Sequence, residues 1–339
     1  MHLLHHHIFP FASFWPVYLL FGIGVSVVLW LSLRPYVGRQ QEVSIREASV
    51  SALGWFIAAL AFDVLLYFFT LWRLNGDPGA VAALGASAEA LARRTALEFL
   101  SGYLLEKALA VDNLFVFLVI FRFFSVAPRY QHRVLFYGLF GAIILRALFI
   151  ALGAAVMDIS WVVILFGLFL IYQGVSVLRG GEPDFHPETN KVLKLLQRCL
   201  PVSKSLDEDR FFTRVDGKRL VTPLFITLIF IEITDIVFAV DSVPAIFGLT
   251  KEPMVVLTSN IFAVIDLRAL YFLLAAFISR FHYLSYGLSF VLVFIGLKMA
   301  LLDEFLDIQL PTEISLLVVL GLILSSILLS LAKPPQEQK

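Results

Sequence analysis

Hydrophobic positions along this chain fall into nine long apolar runs, at approximately 14–33, 51–73, 97–121, 134–157, 161–178, 221–247, 255–278, 283–302 and 313–332. Runs of about 18–25 apolar residues match a helix crossing a hydrocarbon core about 30 Å thick. The pattern predicts an all-α, polytopic membrane protein of about nine transmembrane helices. Two polar interruptions of these runs read nearly alike: Glu106-Lys-Ala-Leu-Ala-Val-Asp112-Asn113 and Asp235-Ile-Val-Phe-Ala-Val-Asp241-Ser242. Each sets a carboxylate six residues ahead of an aspartate and a small polar residue. A charge at the bilayer centre costs roughly 2.5–3.5 kcal/mol on insertion scales, so acids repeated at one spacing ask for a ligand, a relay or a partner.

Loop charge orients the runs. With the N-terminus outside, the inner loops carry eighteen of the 26 Lys and Arg, nine of them in 179–220, and the outer loops carry four: Arg73, Arg93, Arg94 and Lys251. Basic residues favour the cytoplasmic side, so the topology is N-out and C-in, which an odd number of spans requires. The composition is 60% hydrophobic and 15% charged, against about 25% charged for a soluble domain. Lys+Arg equals Asp+Glu, which gives no basic surplus for nucleic acid. The one cysteine, Cys199, excludes an intrachain disulfide. His2, His5, His6 and His7 read as a solvated terminus, and His132 and His186 as loop residues. The loop 179–220 reads as a cytoplasmic linker with a short helix at 188–199, and an Ala-rich piece within 76–95 as a surface helix.

The acidic stretches belong to a longer repeat. Phe140-Gly-Ala-Ile-Ile-Leu-Arg146-Ala-Leu-Phe resembles Phe262-Ala-Val-Ile-Asp-Leu-Arg268-Ala-Leu-Tyr, and the same offset carries Gly174 onto Gly296 and Ser176 onto Lys298. Spans 3–5 and 6–8 therefore read as one three-helix unit used twice with opposite topology, an architecture in which transporters bind substrate between the copies. The chain divides into 1–96 (two N-terminal helices and an outer loop), 97–179 (first repeat), 180–220 (cytoplasmic loop), 221–303 (second repeat) and 304–339 (C-terminal helix and tail).

Candidate ligands are oxygen donors only: Glu106, Asp112, Asp235 and Asp241, with Asn113, Glu232, Ser242 and Asn260 beside them. Such donors suit Mg²⁺, Ca²⁺ or Mn²⁺ and disfavour Cu(I) or structural zinc. Residues six apart on a helix differ by about 120° in azimuth, so one ion can use both only if the helix is distorted, and Pro244 supplies a reason near Ala239–Asp241. Lys107, Arg146, Arg268 and Lys298 lie in the same spans. They serve either as structural partners of the acids or as charges that compensate them in the empty state and yield to metal or protons in the loaded one. Asp63 and Asp266 lack counterparts in the other repeat and read as helix pairing. Glu98, near the outer end of span 3, reads as a vestibule or interfacial residue.

At Leu97–Phe117, Ile231–Phe247 and Thr258–Phe272 the chain resembles the TerC (tellurium-resistance C) family, and within it the Alx-type branch, over about residues 45–305. The resemblance implies manganese export from the bacterial cytoplasm through the inner membrane, with the family's acidic membrane residues falling on Glu106, Asp112, Asp235 and Asp241. Asp266 departs from the family, which usually has a neutral residue there, as does Ser176, where a lysine is expected. The expected partners are Mn²⁺ or another divalent cation, protons and the lipid bilayer, with no permanent cofactor. The pattern holds no protease or hydrolase motif, so an enzyme is not expected. The competing expectation is an assembly factor whose polar core is structural.

Overall fold

A computed structural model describes residues 7–33, 44–157, 159–179, 201–203, 210–215, 218–277 and 283–332. The helix expected at 188–199, with His186 and Cys199, lies outside them. Apart from one hairpin the described elements are helices: α1 Phe11–Leu33, α2 Ile45–Asn75, α3 Pro78–Leu84, α4 Ala88–Phe123, α5 Pro128–Val156 and α6 Ser160–Leu178. After the hairpin of β1 Phe212–Val215 and β2 Lys218–Val221 come α7 Pro223–Phe247, α8 Pro253–Ile265, α9 Leu267–Phe277 and α10 Leu284–Leu297. The last runs into a π-helical turn, Lys298–Asp303, and α11 spans Thr312–Ala332.

Local chemistry sets the boundaries. Ser44, Asp77 and Ser87 accept the backbone N–H of the third residue of α2, α3 and α4, which supplies partners for donors that a helix start leaves unpaired. α3, α5, α7 and α8 each begin at a proline, where its missing N–H is of no consequence. Gly85, in the left-handed region at φ +70°, closes α3.

Among the described residues seven helices are long and apolar enough to cross a membrane, or eight spans if α8 and α9, bent by 43° at Asp266, form one. The ninth span expected from the sequence corresponds to α4, which is 36 residues long and carries Glu98, Glu106, Lys107 and Asp112 along its length. α3 is the Ala-rich surface helix expected within 76–95, since none of its residues is buried, while α4 takes in the residues from Ala88 on, so the boundary drawn at 96–97 falls inside a helix. α7 runs without interruption through Asp241 and Pro244, contrary to the distortion expected there. Pro244 lies in the last turn, where few residues follow to be displaced. The breaks fall instead at Asp266 and at the π-helical turn.

α4 lies at the centre, packed against α2, α7, α8, α9 and α11; α5 packs on α7 and α8, and α6 on α10. At the α6–α10 crossing a Cβ on Gly167 would lie 2.8 Å from the Gly296 carbonyl oxygen, and one on Gly296 would lie 2.5 Å from that of Gly167. Only glycine permits that approach. Two turns away, a Cβ on Gly174 would lie 2.5 Å from the Ser289 carbonyl. Leu114, Phe121, Leu135, Phe230 and Val264 fill one apolar cluster, Leu105, Leu170, Val243, Leu288 and Ile295 a second, and Phe9, Leu66, Phe99 and Tyr103 a third. Outward-facing Trp15, Leu20, Leu65, Leu148, Trp161 and Leu317 are more than half exposed, as a lipid-facing surface demands.

Candidate functional site

Four helices converge on one side chain. Arg146 of α5 is 1% exposed. Its Nη1 donates to Glu106 Oε1 of α4 and, at 3.2 Å, to Asn260 Oδ1 of α8, and its Nη2 donates at 3.2 Å to Asp235 Oδ1 of α7. Glu106 and Asn260 are fully buried and Asp235 is 3% exposed. The guanidinium fork can serve three acceptors at once because its donors are fixed in one plane. The set is nonetheless incomplete. Glu106 Oε2, Asp235 Oδ2, Asn260 Nδ2 and Arg146 Nε are buried without a hydrogen-bond partner, and two carboxylates face one cation. Buried polar atoms are nearly always satisfied, so two acceptors and two donors left unpaired in one cluster call for a physical explanation.

A second group adjoins it. Asp235, Glu232, Arg268 and Gly138 line a cavity of about 20 Å³ between α5, α7 and α9, with Phe117, Leu139 and Ile231 closing its apolar walls. That is room for one water molecule or one bare cation. Both Glu232 carboxylate oxygens are buried without a hydrogen-bond partner. The carboxylate lies against Gly141, where an added Cβ would come within 2.2 Å of Oε2.

Other residues singled out in the sequence go elsewhere. Lys107, beside Glu106, pairs with Asp266 and donates to Tyr103 Oη at 3.0 Å. Lys298 donates to the Gly248 carbonyl at 2.9 Å and to Asp303 at 2.8 Å, away from the four acids it was expected to compensate. Glu98 is 3% exposed and has both oxygens engaged, by Arg94 Nε at 2.7 Å and Thr250 Oγ1 at 2.5 Å, so it is closed off rather than open to a vestibule. Among the described residues no base forms an ion pair with Asp63, whose Oδ1 is buried without a hydrogen-bond partner, whereas Asp266 makes the pairing expected of it. Ser242 Oγ is buried and lacks a partner. Asp241 and Asn113 are half-buried, and the side chain of Asp112 is outside the described ones. Among the described residues no three of His, Cys, Asp and Glu converge as a metal cluster.

Sequence reasoning missed two contacts. Glu252 accepts the backbone N–H of Ile8 at 2.7 Å, tying the N-terminal segment to the start of α8, and nothing in the sequence joins positions so far apart. Asp303 pairs with Lys298, five residues before it, within a π-helical turn, whose bonds run from i to i+5 where those of an α-helix run to i+4.

Residues 91–338 match the model of the integral membrane protein TerC family. The chain is a member of the TerC family. A "Putative membrane-bound redox modulator Alx" from Escherichia coli strain K12 is 38% identical over 91% of this chain and 92% of its own. An "Uncharacterized membrane protein STKORF319" from Myxococcus xanthus is 39% identical over 91% and 90%, and the Alx protein of Photorhabdus laumondii is 41% identical over 84% and 85%. No solved structure matches this TerC protein. It is a multi-pass integral membrane protein related to bacterial membrane proteins, and none of these names states an enzymatic reaction.

Proposed function

We propose that this TerC protein is a secondary transporter that exports a divalent cation, Mn²⁺ foremost, from the cytoplasm across the bacterial inner membrane, with protons moving the other way. The observation that carries the reading is the Arg146 cluster. A tethered cation occupies a buried set of oxygen donors and leaves one oxygen of each carboxylate without a partner. A permeating cation that reached Glu106, Asp235 and Asn260 would displace the guanidinium and complete the set, and Arg146 would refill it on release. Asp112, Asp241, Asn113, Glu232 and Ser242 would then ligate the ion along its path. Oxygen donors match Mn²⁺, Mg²⁺ and Ca²⁺, and Mn²⁺ is taken first among them from the resemblance drawn in the sequence.

The helix contacts support the inverted repeat on which alternating access would depend. Exchanging the copies turns the α4–α8 packing into the α7–α5 packing and returns α6–α10 and α4–α7 to themselves. At the offset that carries Arg146 onto Arg268, Gly167 maps onto Ser289 and Gly174 onto Gly296. The Gly167–Gly296 approach thus becomes the Ser289–Gly174 approach, and both occur. The same exchange relates the filled Arg146 cluster to the cavity beside Arg268, with Gly138 standing where the other copy has Asn260. One half holds its arginine in the acids while the other keeps a cavity, which is the asymmetry that two alternating states require.

The relatives' name speaks of redox modulation. A chain with a single cysteine cannot perform dithiol exchange by itself, whereas export of a redox-active metal would alter redox balance. The assembly-factor reading draws on the enclosure of the Arg146 ion pairs, which a purely structural core would also display. Uptake of Mn²⁺ into inverted vesicles holding the purified protein separates the two. Transport should be lost in Glu106→Gln and Asp235→Asn, and in the double variant Asp112→Asn with Asp241→Asn; undiminished uptake in all of them would leave only the structural reading.

A further inference from the structure

The β1–β2 hairpin carries a charge arrangement that its own fold does not explain. Its register sets Arg214 directly opposite Arg219, with Phe212 opposite Val221 and Val215 opposite Lys218. Directly opposed residues of an antiparallel pair have Cβ atoms about 4.5–5.5 Å apart, and like charges so placed repel. Arg214, Lys218 and Arg219 are exposed, and among the described residues no carboxylate forms an ion pair with any of them. Arg129 and Arg133, in the first turns of α5, add positive charge at the same end of the bundle, where Arg133 lies 5.1 Å from the ring centre of Phe211.

The hairpin is held in place rather than dangling. Thr222, which starts α7, donates its N–H to the Phe211 carbonyl at 3.0 Å and its hydroxyl to the Arg210 carbonyl at 2.7 Å. Val221 donates to the Pro201 carbonyl at 2.9 Å, so a third short segment is bonded to β2. Phe212 packs on Phe225 of α7 with ring centres 4.8 Å apart and is still 53% exposed. Tyr137 of α5, in edge contact with Phe211, is 45% exposed. Two arginines are thus mounted beside half-exposed aromatic rings at the end of an apolar span, the level at which aromatic side chains meet headgroups.

We propose that this hairpin is a docking surface for anionic phospholipid headgroups of the leaflet it faces, with Arg214 and Arg219 sharing one phosphate and Phe212 and Tyr137 lying at the acyl boundary. A phosphate between two guanidiniums turns their repulsion into paired, charge-assisted hydrogen bonds. The nearness of the span and the exposed rings select a lipid over a free ion. The inference is independent of what the protein transports.

The test is thermal unfolding of the full-length protein, purified in neutral detergent, titrated with phosphatidylglycerol, with phosphatidylcholine and with inorganic phosphate. Phosphatidylglycerol alone should raise the melting temperature, and added salt should weaken the effect. In the double variant Arg214→Gln and Arg219→Gln the concentration of phosphatidylglycerol needed should rise about fivefold per arginine removed. Its melting temperature without lipid should stay level or rise, because a repulsive pair has been deleted. Arg93→Gln, at the far end of α4, should respond as the unaltered protein does. An unchanged response in the double variant, an equal effect of phosphatidylcholine, or an equal effect of phosphate would each overturn the proposal.

Discussion

Lys107 on α4 forms an ion pair with Asp266, the single residue that separates α8 from α9 where their axes bend by 43°. The Asp266 side chain is fully buried and that of Lys107 is 18% exposed. Glu106 and Lys107 adjoin in the chain yet serve different partners, since successive residues on a helix point about 100° apart. The pair holds the bend against α4, next to the Arg146 cluster without belonging to it.

Removing one member should therefore do structural harm. Asp266→Leu leaves a lysine with its counter-charge gone, and losing one partner of a buried pair costs about 3–5 kcal/mol. The double variant Lys107→Met with Asp266→Leu removes both charges and should recover most of the loss. Chemical or thermal unfolding of the three variants in detergent checks this. A double variant no more stable than Asp266→Leu would show that the pair does not hold the bend.

The α6–α10 crossing makes a second claim. Gly296→Ala places a methyl group about 2.5 Å from the Gly167 carbonyl oxygen, and Gly174→Ala does the same at Ser289. Each should destabilise by about 1–3 kcal/mol, the usual penalty of overpacking. Gly54→Ala on α2, with nothing within 4 Å of its Cβ position, should be neutral or slightly stabilising, since alanine is the better helix former. Melting temperatures of the three variants suffice, and equal values for all three would contradict the close crossing.

How much of this was legible beforehand follows from what each signal encodes. Apolar run length located α1, α2, α5, α6, α7, α10 and α11, because crossing a bilayer leaves little freedom in length. It could not reveal that α4 continues outward to Ala88: the alanines there are helical by propensity, and only Ser87 marks the start. Nor could it place the bend at Asp266, which in the sequence is one acid within an apolar stretch. Of the site, the repeat pointed to Glu106, Asp235 and Arg146, and the inventory of oxygen donors added Asn260; these four meet. Which base serves which acid depends on helix rotation and crossing, so Lys107 and Lys298 went to partners that spacing alone does not name. The hairpin did carry a local signal, since Asp-Gly between two short alternating stretches favours a tight turn.

Asp77, between the end of α2 and the start of α3, gives a pH dependence of known sign. Its carboxylate accepts the Ala80 N–H at 3.0 Å and pairs with Arg73 at 2.9 Å, and these bonds, the Ala80 N–H first, hold its pKa below the ordinary value. A carboxylate depressed in the folded state contributes stability above its unfolded pKa and loses it as pH falls through the folded one. Hydrogen exchange at the Ala80 amide should accordingly be slow at neutral pH and lose its protection in acid below the usual carboxylate range, after correction for intrinsic exchange. Asp77→Ala should remove that protection at every pH.

Arg146 supplies the prediction that bears most directly on transport. Arg146→Met removes the only charge that the described contacts place between Glu106 and Asp235. Without a cation the variant should unfold at a lower temperature than the unaltered protein, because two buried carboxylates then face each other uncompensated. If Mn²⁺ takes the place of the guanidinium, millimolar Mn²⁺ should stabilise the variant more than the unaltered protein, which has to displace its arginine before the ion can bind. Ligand that binds only the folded state stabilises by an amount set by its concentration relative to Kd, so the gap between the two melting curves should close as Mn²⁺ rises. The further change Asp235→Asn in the Arg146→Met background should weaken that response. A gap that is independent of Mn²⁺ would mean that the arginine holds a structural core, and that the cation, if one crosses, takes a route that avoids Glu106 and Asp235.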